Sequence, residues 1–229
     1  MSGDGVPRSW GDRSNYASGE GQFHEMSQVE SGVLTPDTTL VTLTIGGNDG
    51  AAFQDAVIAC YAIGVCETGD YTARIDKAVA DTKMLIEKID DPGYAETAQI
   101  VLMGYPSIVG DESCNGADVA VLNDLADHLR DKQAAMVADL KKAGVKVAYA
   151  DSIAKFEGHG LCDSDEWVNG IVTGPEGEGD FHTGDDVQKV CWWFNTCLSR
   201  EAFHPKPSGT TGYAAVMRDT LDSIGYKGS

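Results

Sequence analysis

Two polar stretches of the sequence contain residues whose types and spacing suit catalysis. In the first, LVTLTIGGNDG, an apolar run leads directly into Gly46, Gly47, Asn48 and Asp49. An asparagine at the end of a strand can direct its side-chain N–H group at a developing oxyanion, and glycines before it let the backbone approach a substrate closely. The alternative interpretation of the same residues is a turn capped by an Asx side chain.

The second stretch, EAFHPKPSGTTGYA, spans residues 201–214 and contains His204, three residues after Glu201 and directly before Pro205. A histidine titrates near neutral pH and can act as a general base when a carboxylate or carbonyl group holds its other ring nitrogen. Taken alone, His204 is equally well explained as a surface histidine. The other four histidines have less informative contexts: His24, His128, His159 and His182.

The elements that would position these residues follow an alternating pattern. Apolar, β-branched runs predict strands at 39–45, 99–106 and 145–151, and apolar residues at helical spacing predict helices over 75–89 and 122–140. A last helix closes the chain, with Tyr213, Met217, Leu221 and Ile224 on one face, and the polar residues 1–36 predict irregular structure. Strands that alternate with helices indicate an α/β fold with a parallel sheet, in which ligands bind beyond the carboxyl ends of the strands. The residues after the first strand therefore lie where a site is expected.

Length and charge exclude several classes of protein. A chain of 229 residues without a shift in composition predicts one domain over 1–229. With 17 Lys and Arg against 36 Asp and Glu, the net charge of −19 disfavours nucleic acids and anionic membrane surfaces as partners. No apolar run approaches the roughly 18 residues of a membrane span. The acidic GPEGEGDFHTGDD segment does not match a calcium loop, so neither a metal nor another cofactor is predicted.

The six cysteines favour disulfide bonds and an oxidising compartment over reduced core thiols. Their spacing is not that of a zinc or redox site. Local closure favours Cys60–Cys66 and Cys191–Cys197, and leaves Cys114 with Cys162.

Together the two polar stretches resemble blocks of the SGNH hydrolases, the GDSL-type esterases and lipases. The residues from Gly46 to Asp49 match that family's G-x-N-D block, in which the asparagine and a separate glycine build the oxyanion hole. EAFHP followed by GTTGYA resembles the final D-x-x-H-P block, with Glu201 in place of the aspartate. In some members of the family a backbone carbonyl orients the histidine instead.

The central part of the chain is similar to the secreted, disulfide-bonded esterases of this family in GYPSIVGDESC, FEGHGLC and EWVNG. That resemblance implies the pairs Cys60–Cys66 and Cys114–Cys162. It runs from about residue 20 to the end, with 174–197 as an apparent insertion. The fold that it implies is a flavodoxin-like three-layer α/β/α sandwich.

The nucleophile block departs from the family pattern. The family's serine lies in a G-D-S block after the first strand, but Gly11 and Asp12 are followed here by Arg13. A better alignment matches Ser2-Gly3 to the family's second block, whose glycine donates a backbone N–H to the oxyanion. We therefore expect the first strand, the nucleophile and a signal peptide to precede Met1, with Ser14 and then Ser18 as weaker alternatives within the chain.

The resemblance implies carboxylic ester hydrolysis through an acyl-enzyme. His204 would take the serine proton, with Glu201 as its possible partner, while Asn48 and Gly3 stabilise the oxyanion. The implied protein is a secreted monomer that acts on small-molecule or lipid esters. The alternative is a catalytically silent domain that binds a carbohydrate or an acyl chain.

Overall fold

The structure is a computed structural model that describes residues 29, 31–47, 55–63, 66, 68–110, 114, 119–174, 191–192, 196–198 and 202–228, with only the backbone described between 173 and 198. We number its helices and strands in chain order. They are β1 (Leu40–Leu43), α1 (Val57–Ile63, a π-helix), α2 (Thr68–Ile89), β2 (Gln99–Met103), α3 (Val119–Lys142), β3 (Val147–Ala150), α4 (Ile153–Phe156), β4 (Thr173–Gly174), β5 (Cys191–Trp192), β6 (Thr196–Leu198) and α5 (Pro207–Ser223).

The central sheet consists of three parallel strands in the order β1-β2-β3. Ile100 at its centre pairs with Val41 on one side and with Val147 on the other. This confirms the predicted parallel sheet, although each strand is shorter than its apolar run. After β1, for example, the run continues through Ile45, but the chain has left the sheet by Gly46, which adopts a φ of +103°.

Side chains that alternate along β2 give the sheet two apolar faces. Ile100 and Leu102 are fully buried in one core with residues of α2 and α3, whereas Val101 and Met103 pack with Val216 of α5 on the opposite face. Successive side chains of a strand point to opposite faces, so helices on both sides bury β2 from Ile100 to Met103. The result is the predicted three-layer α/β/α sandwich.

The end of α3 agrees with its sequence signals. Its last turn contains Lys141 and Lys142, which suit the negative end of the helix dipole. Gly144 follows with a φ of +102°, the left-handed conformation in which a glycine commonly ends a helix. Local residue types therefore explain where α3 ends.

Sequence periodicity did not reveal α1, α4 or the second sheet, whose antiparallel strands follow the order β4-β6-β5 at the segment interpreted as an insertion. Helices of four and seven residues and strands of two or three residues are too short for a helical or alternating repeat to be recognised. Most of residues 1–36 lie outside the described part of the chain, so their irregular structure stays a prediction, as does the single-domain division.

Two of the three predicted disulfides are present. Cys60 is bonded to Cys66 and Cys114 to Cys162, with Cα atoms 4.8 and 5.5 Å apart. The backbones of Cys191 and Cys197 are partners in the β5–β6 pair, but their side chains are outside the description, and that bond stays a prediction. Across the described residues, no helix combines the length and apolar character needed to cross a membrane.

Candidate active site

The carboxyl ends of the three parallel strands bring three loops to one edge of the sheet. Beyond β1 lie Gly46 and Gly47, beyond β2 lies Tyr105, and beyond β3 lies Ser152. The buried Ser152 hydroxyl donates a hydrogen bond of 2.8 Å to the Gly104 carbonyl, which ties the loop after β3 to the end of β2. A hydrogen bond thus joins two of the loops at the edge that the sequence predicts as the site.

Gly46 and Gly47 are required for two different structural reasons. Gly46 has a positive φ, which a residue with a Cβ atom rarely adopts. Gly47 is buried, and a Cβ atom there would lie 2.8 Å from Cζ of Tyr105. The Gly47 N–H group also donates to the Tyr105 hydroxyl at 3.2 Å. The predicted contact of this loop with a substrate remains a prediction, because Asn48 and Asp49 lie outside the described residues.

His204 is exposed, and its imidazole is oriented by the main chain. Nδ1 lies 3.0 Å from the carbonyl oxygen of Ala202. Because a carbonyl can only accept a hydrogen bond, Nδ1 is the donor, and Nε2 of the neutral ring carries the lone pair. This is the tautomer that a general base requires. The carbonyl alternative for the histidine partner is therefore present, whereas the side chain of Glu201 lies outside the described residues.

The backbone around His204 is held by Asn169 from a distant part of the chain. The Asn169 N–H group donates to the His204 carbonyl at 2.9 Å, and its own carbonyl accepts from the Phe203 N–H group at 3.1 Å. Phe203 has a φ of +62°, which is uncommon for a residue other than glycine and costs on the order of 1 kcal/mol. Its ring packs edge-on against Tyr61 of α1, with centroids 5.5 Å apart. These contacts hold the turn that directs the Ala202 carbonyl at His204.

An ion pair supports the same loop from the other side. Lys206 Nζ donates to Glu166 Oε2 at 2.9 Å, and the Cys162 N–H group donates to Glu166 Oε1 at 2.9 Å. The hydrogen bond from Lys206, followed by that from Cys162, lowers the pKa of the Glu166 carboxyl below its ordinary value. Since Cys162 is bonded to Cys114, Glu166 connects the histidine loop to the disulfide.

Helix α5 places His204 at the same edge of the sheet as Gly47. In the first half of α5, Tyr213 packs against Phe156 of α4, the helix that follows β3, with ring centroids 5.0 Å apart. Just beyond its end, the Tyr226 hydroxyl donates to Thr39 Oγ1 at 3.2 Å, at the amino end of β1. The helix therefore runs from the carboxyl edge to the amino edge, and His204 precedes its first turn.

The other described histidines have different surroundings. His128 Nε2 lies 2.8 Å from Asp76 Oδ1, so this contact joins α3 to α2. His159 stacks on Trp167 with centroids 3.7 Å apart, and its Nδ1 donates to the Asp165 carbonyl at 2.9 Å. Within the described ranges, no three or more His, Cys, Asp or Glu side chains converge on a possible metal position.

Several residues singled out in the sequence lie outside the described part of the chain: Ser2, Gly3, Ser14, Ser18, His24, Asn48, Asp49, His182 and Glu201. Their roles stay predictions. Tyr105 lies in the family-like stretch GYPSIVGDESC, and Glu166 and Asn169 lie in EWVNG, but the sequence indicated no role for any of the three. Their roles come from contacts with segments that are distant in the chain.

Known proteins similar to this chain are lipases of Streptomyces. Lipase 2 of Streptomyces coelicolor is 29% identical over 162 residues, which cover 62% of this chain and 53% of that protein. A lipase of Streptomyces rimosus is 31% identical over 170 residues, which cover 69% of this chain and 58% of that protein. The chain thus spans between half and three-fifths of these relatives, and a comparison with protein-family models finds no match.

Two solved structures share the fold. The extracellular lipase of Streptomyces rimosus has a TM-score of 0.57 and 26% identity, and the alignment covers 82% of this chain and 71% of that protein. Phospholipase A1 of Streptomyces albidoflavus has a TM-score of 0.58 and 24% identity, with 83% and 72% covered.

The parallel α/β sandwich is the fold of these solved structures, and the similarity to the Streptomyces rimosus lipase places the chain in the family of that protein. This family is that of the SGNH hydrolases.

Proposed function

We propose that this protein hydrolyses carboxylic esters of the lipase or esterase type through a Ser-His acyl-enzyme mechanism. The observation that carries the proposal is the imidazole of His204, which the Ala202 carbonyl holds through Nδ1 at 3.0 Å while the residue is exposed at the carboxyl edge. The similarity to lipases supports lipid or small-molecule esters as the substrate class.

In this mechanism His204 Nε2 accepts the proton of a serine hydroxyl as the serine oxygen attacks the ester carbonyl carbon. The Ala202 carbonyl stabilises the imidazolium ion that forms. When the tetrahedral intermediate collapses, the bond to the alcohol oxygen breaks and Nε2 returns the proton to the leaving alcohol. Water then attacks the acyl-enzyme with the help of the same base and releases the acid.

The oxyanion of each tetrahedral intermediate needs donors, and we assign this role to the Asn48 side chain and the Gly3 backbone N–H group. For the nucleophile we expect a serine that precedes Met1, with Ser14 as the alternative within the chain. The mechanism requires no metal or cofactor, because the charge that develops on the carbonyl oxygen is stabilised by hydrogen bonds alone.

We further propose that the protein is secreted and acts as a monomer. The two disulfides favour an oxidising compartment. A similar enzyme, the lipase of Streptomyces rimosus, is extracellular.

The proposal is tested by ester turnover in the full-length gene product, with His204→Ala compared with His128→Ala. His128 is a suitable control because its ring contacts Asp76 between two helices. We expect the His204 variant to lose several orders of magnitude in kcat, on the order of 10³ or more, and the control to keep its rate. Turnover at the unaltered rate in His204→Ala would refute the mechanism. Binding of esters without hydrolysis in the unaltered protein would favour the catalytically silent alternative.

A further inference from the structure

A buried polar side chain lies beneath the loop that leads to Asn48. Gln133 of α3 is completely buried, in contact with the apolar core. An amide that is removed from water without partners costs several kcal/mol. Gln133 has two partners, both remote in sequence: Oε1 accepts from the Tyr149 hydroxyl at 3.4 Å, and Nε2 donates to the Ile45 carbonyl at 3.4 Å.

The direction of these hydrogen bonds is set by the Ile45 carbonyl, which can only accept and therefore faces the NH₂ group of Gln133. Oε1 is left to accept from the Tyr149 hydroxyl. Burial, followed by the charge of Asp151, raises the pKa of the Tyr149 phenol, so the hydroxyl keeps the proton that it donates. The amide therefore connects β3 to Ile45, just beyond the end of β1.

A second side chain holds the other side of the same turn. The Tyr105 hydroxyl accepts the hydrogen bond from the Gly47 N–H group at 3.2 Å, and the ring lies where a Cβ atom of Gly47 would be. Gln133 thus holds the peptide before Gly46, and Tyr105 holds the peptide after it. Gly46 itself has a φ of +103° and no side chain to restrict its rotation.

We propose that Tyr105 and Gln133 are positioning residues that fix the direction in which the chain enters Asn48. The inference rests on the proposed function, in which the Asn48 side chain donates a hydrogen bond to the oxyanion. Such a donor must lie about 2.7 to 3.1 Å from the developing oxyanion. Two successive glycines give that position no rigidity of their own, so the constraint comes from the two neighbouring side chains.

The test compares two substitutions that each delete one hydroxyl group. Tyr105→Phe removes the acceptor for the Gly47 N–H group at the carboxyl end of β1. Tyr226→Phe is the matched control, because its hydroxyl makes a bond of the same length, 3.2 Å, to Thr39 at the amino end. Hydrogen exchange of the Gly47 amide is measured in both variants, together with kcat and KM for ester hydrolysis by the full-length gene product.

We expect Tyr105→Phe to accelerate exchange of the Gly47 amide about tenfold and to lower kcat about tenfold, with KM unchanged, because only an interaction of the transition state is weakened. Gln133→Leu, which replaces the amide by an apolar side chain, should reproduce the loss in kcat. In an Asn48→Ala background, Tyr105→Phe should have no further effect on kcat, since the donor that it positions is gone. The control should change none of these quantities.

The outcomes separate this inference from the proposed function. An unchanged exchange rate at Gly47 in Tyr105→Phe would overturn the inference whatever the activity, and so would faster exchange with full kcat. Loss of kcat that persists undiminished in the Asn48→Ala background would also overturn it. Faster exchange in a protein without any ester turnover would refute the proposed function, while the support of the loop by Tyr105 would stand.

Discussion

At the scale of single residues, His204 obtains its hydrogen-bond acceptor from the main chain rather than from a described carboxylate. The Ala202 carbonyl lies 3.0 Å from Nδ1 and is itself fixed by the turn at Phe203, whose N–H group is bonded to Asn169. A carbonyl orients the ring and selects the tautomer, which are two of the tasks of the acid in a catalytic triad.

We therefore predict that Glu201→Ala lowers kcat for ester hydrolysis by no more than about tenfold, whereas His204→Ala lowers it by about 10³ or more. The carbonyl keeps its position when the Glu201 side chain is removed. Steady-state kinetics of the two variants in parallel provides the measurement, and His128→Ala controls for the loss of an unrelated histidine. Equal losses in the Glu201 and His204 variants would contradict the main-chain assignment.

A second prediction at this scale concerns the stability of the glycine turn. In Gly47→Ala the new methyl group would lie 2.8 Å from Cζ of Tyr105, and the ring cannot yield without breaking its bond to the Gly47 N–H group. We expect a loss of about 1 to 3 kcal/mol in the free energy of unfolding, measured in urea. Gly228→Ala is the control, because the position of its Cβ has no atom within 4 Å. Equal stability of the two variants would show that the contact with Tyr105 is not tight.

At the scale of elements, Glu166 joins the segment before α5 to the segment that follows α4, through its hydrogen bonds with Lys206 and Cys162. The carboxylate accepts two hydrogen bonds of 2.9 Å, and both lower its pKa. A carboxyl group whose pKa is lower in the folded than in the unfolded state contributes stability that is present above the unfolded pKa. That contribution is lost as the pH falls through the folded pKa.

We predict that Glu166→Gln costs about 0.5 to 1 kcal/mol of stability at pH 7, a small value because the side chains of the pair are each about a third exposed to screening solvent. Below about pH 4.3, the ordinary pKa of a glutamate, the difference between the variant and the unaltered protein should shrink. Urea unfolding at pH 7 and at pH 3 gives both quantities. Glu157→Gln, at an exposed residue with no ion pair in the described part of the chain, is the control. A difference that grows on acidification would contradict the assigned sign.

Sequence patterns predicted the long helices. The helices α2 and α3 extend over 22 and 24 residues, long enough for apolar residues to recur on one face. The π-helix α1 is only seven residues long, and Tyr61 within it contacts Phe203. That contact joins segments far apart in the chain and leaves no periodic trace.

At the scale of the whole molecule, the two disulfides close loops of very different length. Cys114 and Cys162 are separated by 48 residues, and Cys60 and Cys66 by six. A cross-link stabilises mainly by restricting the unfolded chain, and the restriction grows with the length of the loop.

We predict that replacing both Cys114 and Cys162 by serine lowers the free energy of unfolding by about 2 to 4 kcal/mol, and that the same change at Cys60 and Cys66 lowers it by less. Urea unfolding under non-reducing conditions measures both variants against the unaltered protein. A larger loss for the short loop would mean that native-state packing outweighs loop entropy. Peptide mapping in parallel tests whether Cys191 is bonded to Cys197.

The nucleophile is a prediction that concerns the whole chain. A fluorophosphonate probe reacts with an activated serine, and mass spectrometry identifies the labelled residue. We expect the 229-residue protein to remain unlabelled and the product of a gene extended upstream of Met1 to be labelled at a serine in the added segment. Stoichiometric labelling of Ser14 or Ser18 would instead place the nucleophile within the chain, and His204→Ala should then abolish the label.

The order of residue types was enough to predict the alternation of strands and helices and to single out the two blocks around Asn48 and His204, because these features are local in the chain. The tertiary structure decided what lies around them. It showed that Gly47 must be a glycine because of Tyr105, and that the turn before His204 depends on Asn169. These constraints arise from hydrogen bonds and close packing between segments that are distant in the chain, and such contacts exist only once the sheet has brought the segments to one edge.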